Sequence, residues 1–395
     1  MYPLLVFAAL GLGCAEEDSS PTDGNTPADA ATTTDMGVGN RDGGNMADAA
    51  QPRPGVGVTT IQVQGPAGRV LPTSIWYPTP AEVEGTPVIY QGFLPREAIA
   101  DAPIAEGGPW PLIAFSHGNR SVKEQSVFLL EELARSGYIV VGPDHVGNTF
   151  FEEGEIPLEP VIDHLRPLDI TAVLDRILAP EPDDPAWLAD RVDGRRIGVT
   201  GHSRGGYTAI AVVGGELAVR DDYRMYCRDT ADAPLCDRFD PMAPSHGFRD
   251  ERVTASMPMS PARYTLTPES LAAIESPVLI LTSLVDVSTP YDTDVRPIYD
   301  ALSAPRALWT LTYGDHYTFS DLCEAYDLLG EIAVERFGDA CQPDNPLPPE
   351  DAHPMIQAVG LAFFDHALKG TADGEGVLRP LETDDLVILN DGLGQ

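Results

Sequence analysis

The spacing of apolar residues changes several times along the chain, and each change predicts a different kind of structure. From Ala15 to about Val56 the residues are mainly Asp, Ala, Thr, Gly, Asn and Pro, with almost no large apolar side chain. Such a segment buries too little surface to offset its chain entropy, so residues 15–56 are expected to form a disordered acidic linker. Strict alternation then sets in over GVTTIQVQ (57–64) and RVLPTSIWYP (69–78), separated by Gly65-Pro66-Ala67-Gly68, which is the pattern of an antiparallel hairpin. Beyond it, short apolar runs alternate with amphipathic stretches. PLIAFS (111–116), YIVVGPDH (138–145), RRIGVT (195–200), SPVLILTSLVD (276–286) and RALWTLTYG (306–314) read as strands. Residues 121–137, 166–179, 207–215, 292–304 and 355–370 read as helices. The first of these has Ser121 and Glu124 in capping-box spacing and Gly137 beyond its end. This order predicts the α/β class, with a mostly parallel twisted sheet covered by helices on both faces. Residues 215–252, rich in charge and proline and poor in periodicity, read as a lid-like insertion into a body spanning 57–395.

The segment before the linker changes the expected location. MYPLLVFAALGLGC (1–14) carries an apolar run too short to span a bilayer, ending in small residues and Cys14, and resembles a bacterial lipoprotein signal. Cys14 is then the lipidation candidate, with membrane attachment through it. The expectation is export to the outer membrane or cell surface, with a periplasmic or secreted protein as the alternative.

Charge narrows the partners. The 395 residues carry 61 Asp plus Glu against 25 Lys plus Arg, a formal charge of −36, and Lys123 and Lys369 are the only lysines. Nucleic acid and anionic membrane surfaces would be repelled. Export permits disulfides, and the four cysteines left after Cys14 fall into close pairs, Cys227 with Cys236 and Cys323 with Cys341. Four cysteines allow three connectivities; proximity favours this one, and four buried thiols are the alternative.

Candidate chemistry centres on RRIGVTGHSRGGYTA (195–209), where GHSRG fits G-x-S-x-G between a predicted strand and a predicted helix. Gly201 and Gly205 leave room for a sharp turn presenting the Ser203 hydroxyl, and Gly206 lets the helix approach the sheet. A serine hydroxyl is a weak nucleophile that needs a base, and the base needs an acid, in the chain order Ser, Asp or Glu, His. Asp286 lies just past the clearest buried strand, and His316 lies in a loop after the next one. The competing acids Asp292, Asp294 and Asp315 and the competing histidines His246, His353 and His366 are placed less well against this template. Two donors are expected to face the oxyanion, the backbone N–H groups of Arg204, after the nucleophile, and of Asn119, in the loop after PLIAFS. Asp144, His145 and His117 lack the spacing of a metal site, so neither metal nor cofactor is expected.

Together PLIAFSHGN, VVGPDHVGN, RPLDITAVLD, GHSRGGYTA, PVLILTSLVD and GDHYTFSDLC resemble the α/β-hydrolase superfamily over roughly residues 57–370. Within it the chain looks like the predicted dienelactone hydrolase and plasma-type platelet-activating-factor acetylhydrolase group, with cutinase-like polyesterases as cousins. The resemblance implies a serine esterase whose triad is Ser203, Asp286 and His316, acting through an acyl-enzyme on a small-molecule, lipid or polymer ester. Polyester, amide or thioester hydrolysis would use the same residues. A non-catalytic surface lipoprotein using the fold for binding is the alternative of a different class. Oligomeric state is not legible.

Overall fold

The computed structural model describes residues 53–152, 161–229, 236, 242–263, 265–303, 305–329, 341, 347–370, 386–391 and 393. The expected signal segment and nearly all of the expected linker lie outside the described residues. The hairpin opens the folded body: β1 (Gly55–Gln64) and β2 (Val70–Thr79) pair antiparallel along their whole length, from Gly55 opposite Thr79 to Gln64 opposite Val70. The body thus begins two residues before the expected position 57.

Six strands then form a parallel block: β5 (Trp110–Ser116), β6 (Ile139–Pro143), β7 (Val192–His202), β10 (Val253–Met259), β11 (Val278–Ser283) and β12 (Arg306–Leu311). They belong to an eleven-stranded sheet in the order β13-β12-β11-β10-β7-β5-β6-β2-β1-β4-β3, where β3 is Pro87–Tyr90, β4 Leu94–Ala100 and β13 Leu386–Asp391. The antiparallel β13 closes one edge and the hairpin extends the other. A separate two-stranded ladder joins β8 (Leu217–Ala218) to β9 (Ser245–His246).

Burial alternates along the parallel strands as a two-faced sheet requires. Leu112, Ala114, Val278 and Ile280 face one apolar cluster, while Ile113, Phe115, Leu279 and Leu281 face the other. The described helices are α1 (Val127–Arg135), α2 (Ile162–Leu178), α3 (Leu188–Arg191), α4 (Arg204–Val212), α5 (Asp221–Asp229), α6 (Pro268–Ala272), α7 (Arg296–Ala301), α8 (Leu322–Leu329) and α9 (Pro349–Phe364). Residues of α2, α4 and α7 complete the first cluster, and those of α1 and α9 the second. Among the described residues, no helix is long and apolar enough to cross a membrane.

Three expectations are corrected. The helix expected from residue 121 begins at Val127, and its N-cap, Ser126, makes no side-chain cap bond. Ser121 instead bridges to Thr149, while Glu124 pairs with Lys123 and accepts from Gln91, so tertiary partners take the groups a capping box would use. The helix expected over 292–304 is a π-turn, Tyr291–Val295, followed by the short α7. Strands β3, β4 and β13, the central β10 and the short β8 and β9 were not expected at all. The segment 215–252 contains β8, α5 and β9 around residues outside the description, and its Leu217, Tyr223 and Phe248 are buried in the first cluster.

Candidate active site

The chain leaves β5 for β6 on one side and returns to β7 on the other, so a crevice opens beyond the carboxyl ends of β5 and β7. Their parallel register sets Ser116 beside Gly201, which brings the loop after β5 against the loop after β7. The contact leaves no room for side chains. A Cβ on Gly201 would lie 2.4 Å from the Gly205 carbonyl oxygen, and one on Gly205 would lie 1.8 Å from that of Ser116.

Between these glycines Ser203 adopts φ 58° and ψ −117°, a conformation L side chains rarely take. Its backbone is pinned on both sides: its N–H donates to the Met259 carbonyl at 2.9 Å, and its carbonyl accepts from Tyr207 and Ala262. Helix α4 starts at the next residue, Arg204, so the first-turn N–H groups point out of the helix beside the serine.

Asp286 lies in the loop after β11, and His316 opens a 3-10 turn after β12. The His316 Nδ1 is 2.7 Å from Asp286 Oδ2. Asp286 is 3% exposed and also accepts from Ser288 N–H, Thr289 N–H and the Thr289 hydroxyl. Burial alone would raise its carboxyl. The hydrogen bond and charge of His316, with the Thr289 donors, outweigh burial and bring it down to about 2. Asp315 caps the 3-10 turn by accepting from Tyr317 and Thr318 N–H, which leaves it structural.

A hydrogen-bonded chain ties the three loops together. Gly118 N–H donates to Gln125 Oε1 at 2.5 Å, Gln125 Nε2 donates to His202 Nδ1 at 2.8 Å, and His202 Nε2 donates to the His316 carbonyl at 2.8 Å. Burial, then the neighbouring charge of His316, lowers His202 to about 3, so it is neutral and holds one proton, on Nε2. The Gly118 N–H is thus taken by Gln125. The Asn119 side-chain oxygen accepts from Asn148 Nδ2 at 2.9 Å and from Arg204 Nη1 at 2.6 Å, which links the side chains of the two residues expected to offer oxyanion donors.

A buried polar cluster lies beneath. His145 reaches Asp169 Oδ2 at 2.8 Å through Nδ1 and Ser116 Oγ at 2.9 Å through Nε2, and its N–H donates to His117 Nε2. Arg69 pairs with Asp169, and Arg166 donates to the His117 carbonyl, Ser116 Oγ and Asn148 Oδ1. Burial first, and the Arg166 charge second, hold both His117 and His145 far below the usual histidine range.

A cavity of about 270 Å³ opens beside this site, lined among others by Asn119, Arg120, Phe93, Phe150, Phe151 and Tyr317.

Comparison with known proteins bears on this geometry. The chlorophyllase family model matches residues 81–224, under half of the chain, a span that holds Asn119, Ser203 and Arg204 but ends before Asp286 and His316. No curated protein matches the chain. A ferulic acid esterase from Streptomyces cinnamoneus is similar in structure, with a TM-score of 0.58 and 21% identity over 87% of this chain and 98% of that one. The protein has the α/β-hydrolase fold.

On this α/β-hydrolase scaffold the remaining sequence candidates fall apart from the pair of Asp286 and His316. Asp294 accepts from Arg263 N–H. His246 sits on β9 against Tyr223 and His164. His353, on α9, stacks on Phe128 at 3.6 Å and reaches Glu324 at 3.2 Å. Disulfides join Cys227 to Cys236 and Cys323 to Cys341, as proximity suggested; Cys14 lies outside the described residues. Asp144 accepts from Lys123, and the His117 and His145 nitrogens are taken as described. One cluster not foreseen, Asp321 with Glu324 and His353, has metal-ligand character, but the Arg96 guanidinium already bonds both carboxylates. Gln125, Arg166 and Asp169 were not singled out for the site, and His145 was weighed only as a metal ligand. Their only signal was polar residues inside otherwise apolar predicted elements.

Proposed function

We propose that the protein hydrolyses carboxylic esters with Ser203 as nucleophile. The observation that carries this reading is the strained Ser203, at φ 58° on a strand-turn-helix elbow, at the same sheet edge as a 2.7 Å His316–Asp286 pair. In this reading His316 Nε2 takes the hydroxyl proton as Ser203 Oγ attacks the ester carbonyl. Asp286 keeps the imidazole proton on Nδ1 and stabilises the imidazolium. The N–H groups of Asn119 and Arg204 receive the oxyanion. His316 then protonates the leaving alcohol, and the same steps with water release the acid. No cofactor takes part.

The chlorophyllase match and the ferulic acid esterase neighbour support ester rather than amide chemistry. Two disulfides support export beyond the reducing cytoplasm, and the proposal extends to lipid attachment at Cys14.

The test is hydrolysis of p-nitrophenyl esters from acetate to palmitate by the full chain and by Ser203→Ala, with circular dichroism on both. Turnover by the first and loss of at least about 10³-fold in the second is expected. Equal turnover by both proteins, or none on esters from folded wild type, would remove the serine-esterase reading in favour of amide substrates or a binding protein.

A further inference from the structure

On a chain of formal charge −36, cations are scarce and carboxylates are abundant, so arginines should be found paired. Around the site they are: Arg69 with Asp169, Arg96 with Asp321 and Glu324, Lys123 with Glu124 and Asp144, Arg204 with Asp163. Arg120 departs from the pattern. It follows Asn119 directly, is exposed, lines the aromatic cavity, and makes no hydrogen bond or ion pair with the described residues. The acidic groups lining the cavity, Glu124 and Asp321, pair with Lys123 and Arg96 rather than with Arg120, which leaves the Arg120 guanidinium without an acidic partner among the described residues. Its backbone is held at φ 50°, the left-handed region that favours glycine, so an arginine is kept where the turn would run more easily without a side chain.

Resting on the esterase reading above, we propose that the preferred ester carries a carboxylate, bound by Arg120 at the mouth of the aromatic cavity. The aromatic side chains Phe93, Phe150, Phe151 and Tyr317 take the apolar part of the substrate, and the guanidinium fork takes the acid. A monoester of a dicarboxylic acid, or an ester of a hydroxy acid, fits this description. The guanidinium is exposed at the mouth, so the ion pair forms in contact with water and fixes orientation, while the acidic body disfavours anions elsewhere on the surface.

The experiment compares kcat/KM for pairs of similar length that differ in charge. One pair puts the acid on the acyl side, p-nitrophenyl hydrogen glutarate against p-nitrophenyl valerate. The other puts it on the alcohol side, 4-acetoxybenzoate against its methyl ester. Each is measured with wild type, Arg120→Gln, Arg120→Lys and Arg120→Gly. In one of the pairs wild type should favour the anionic member, and the ratio should fall about tenfold in Arg120→Gln and Arg120→Gly, with partial retention in Arg120→Lys. Glycine relieves the positive φ, so the third variant separates charge from folding. Wild-type ratios at or below one in both pairs, or ratios unchanged by Arg120→Gln, would overturn the proposal. Binding of glutarate and benzoate by calorimetry decides the case independently of turnover. Weaker binding in Arg120→Gln upholds the anion site even if no ester is cleaved, and no binding to wild type overturns it even if neutral esters are.

Discussion

His202 Nε2 donates to the backbone carbonyl of His316 at 2.8 Å, so the residue before the candidate nucleophile fixes the backbone of the candidate base. Its other nitrogen accepts from Gln125, whose oxygen holds Gly118 N–H, and the two side chains together couple the loop after β5, the elbow and the loop of His316. Gln125→Leu keeps the approximate volume and removes both bonds. It should cost about 1–3 kcal/mol in unfolding free energy, from the two stranded partners. It should also lower kcat on a p-nitrophenyl ester about tenfold with KM little changed, since alignment for the transition state is what is lost. A rise in KM at constant kcat would mean that Gln125 serves binding alone.

Asp286 links acid stability to the site. Its carboxyl titrates at about 2 in the folded protein, below the ordinary value of 3.8. A depressed folded value means the unfolded state binds the proton first as pH falls, so stability is fully present above about pH 4 and is lost between about pH 4 and 2. The contribution is about 2–3 kcal/mol. Urea midpoints taken from pH 6 down to pH 2.5 should fall more steeply in wild type than in Asp286→Asn, and the asparagine variant should lose roughly 10³- to 10⁴-fold in kcat at pH 7. Parallel pH curves for the two proteins would show that the carboxylate is not held as described.

Gly205→Ala tests the elbow by the smallest change available. The new Cβ would sit 1.8 Å from the Ser116 backbone oxygen, and neither partner is a flexible side chain. Either β5 and α4 separate or the turn re-forms, and both displace Ser203 from its position between Met259 and Ala262. Activity should drop by at least about 10²-fold, a loss that a roughly 1 Å misplacement suffices to cause, and the melting temperature should fall. Wild-type activity in this variant would mean that the close contact can be relieved without moving the serine.

Much of this was legible because it follows from local pattern. The period-2 alternation of β1 and β2 and the apolar runs of β5, β7, β11 and β12 carry their burial in their own residues, and Gly201, Ser203 and Gly205 announce the elbow by spacing alone. What escaped depends on distant partners. Glu124 looks like a capping residue until Gln91 and Lys123 claim it. β3 and β13 form the two edges of the sheet and β4 joins β3 to β1, so these short segments gain strand geometry from the neighbours they pair with. Gln125 and His202 are separated by 77 positions and meet only because β5 and β7 are adjacent.

The buried cluster under the loop after β5 separates positioning from bulk stability. Arg166 is fully buried and donates to the His117 carbonyl, to Ser116 Oγ and to Asn148, which in turn holds Asn119. Replacing it by Met removes the donors but keeps an unbranched chain in the core. The His117 carbonyl would then be left in a dry interior without this donor, an arrangement that relaxes by turning the peptide and with it the N–H groups that follow. The expected outcome is a fall in kcat of about tenfold or more, with KM within about twofold and the labelling of Ser203 by a small fluorophosphonate slowed in parallel. Arg166→Lys should recover part of the rate, because one charged donor can still reach this backbone. A variant that lost several kcal/mol of stability yet kept full kcat would assign the cluster to folding alone.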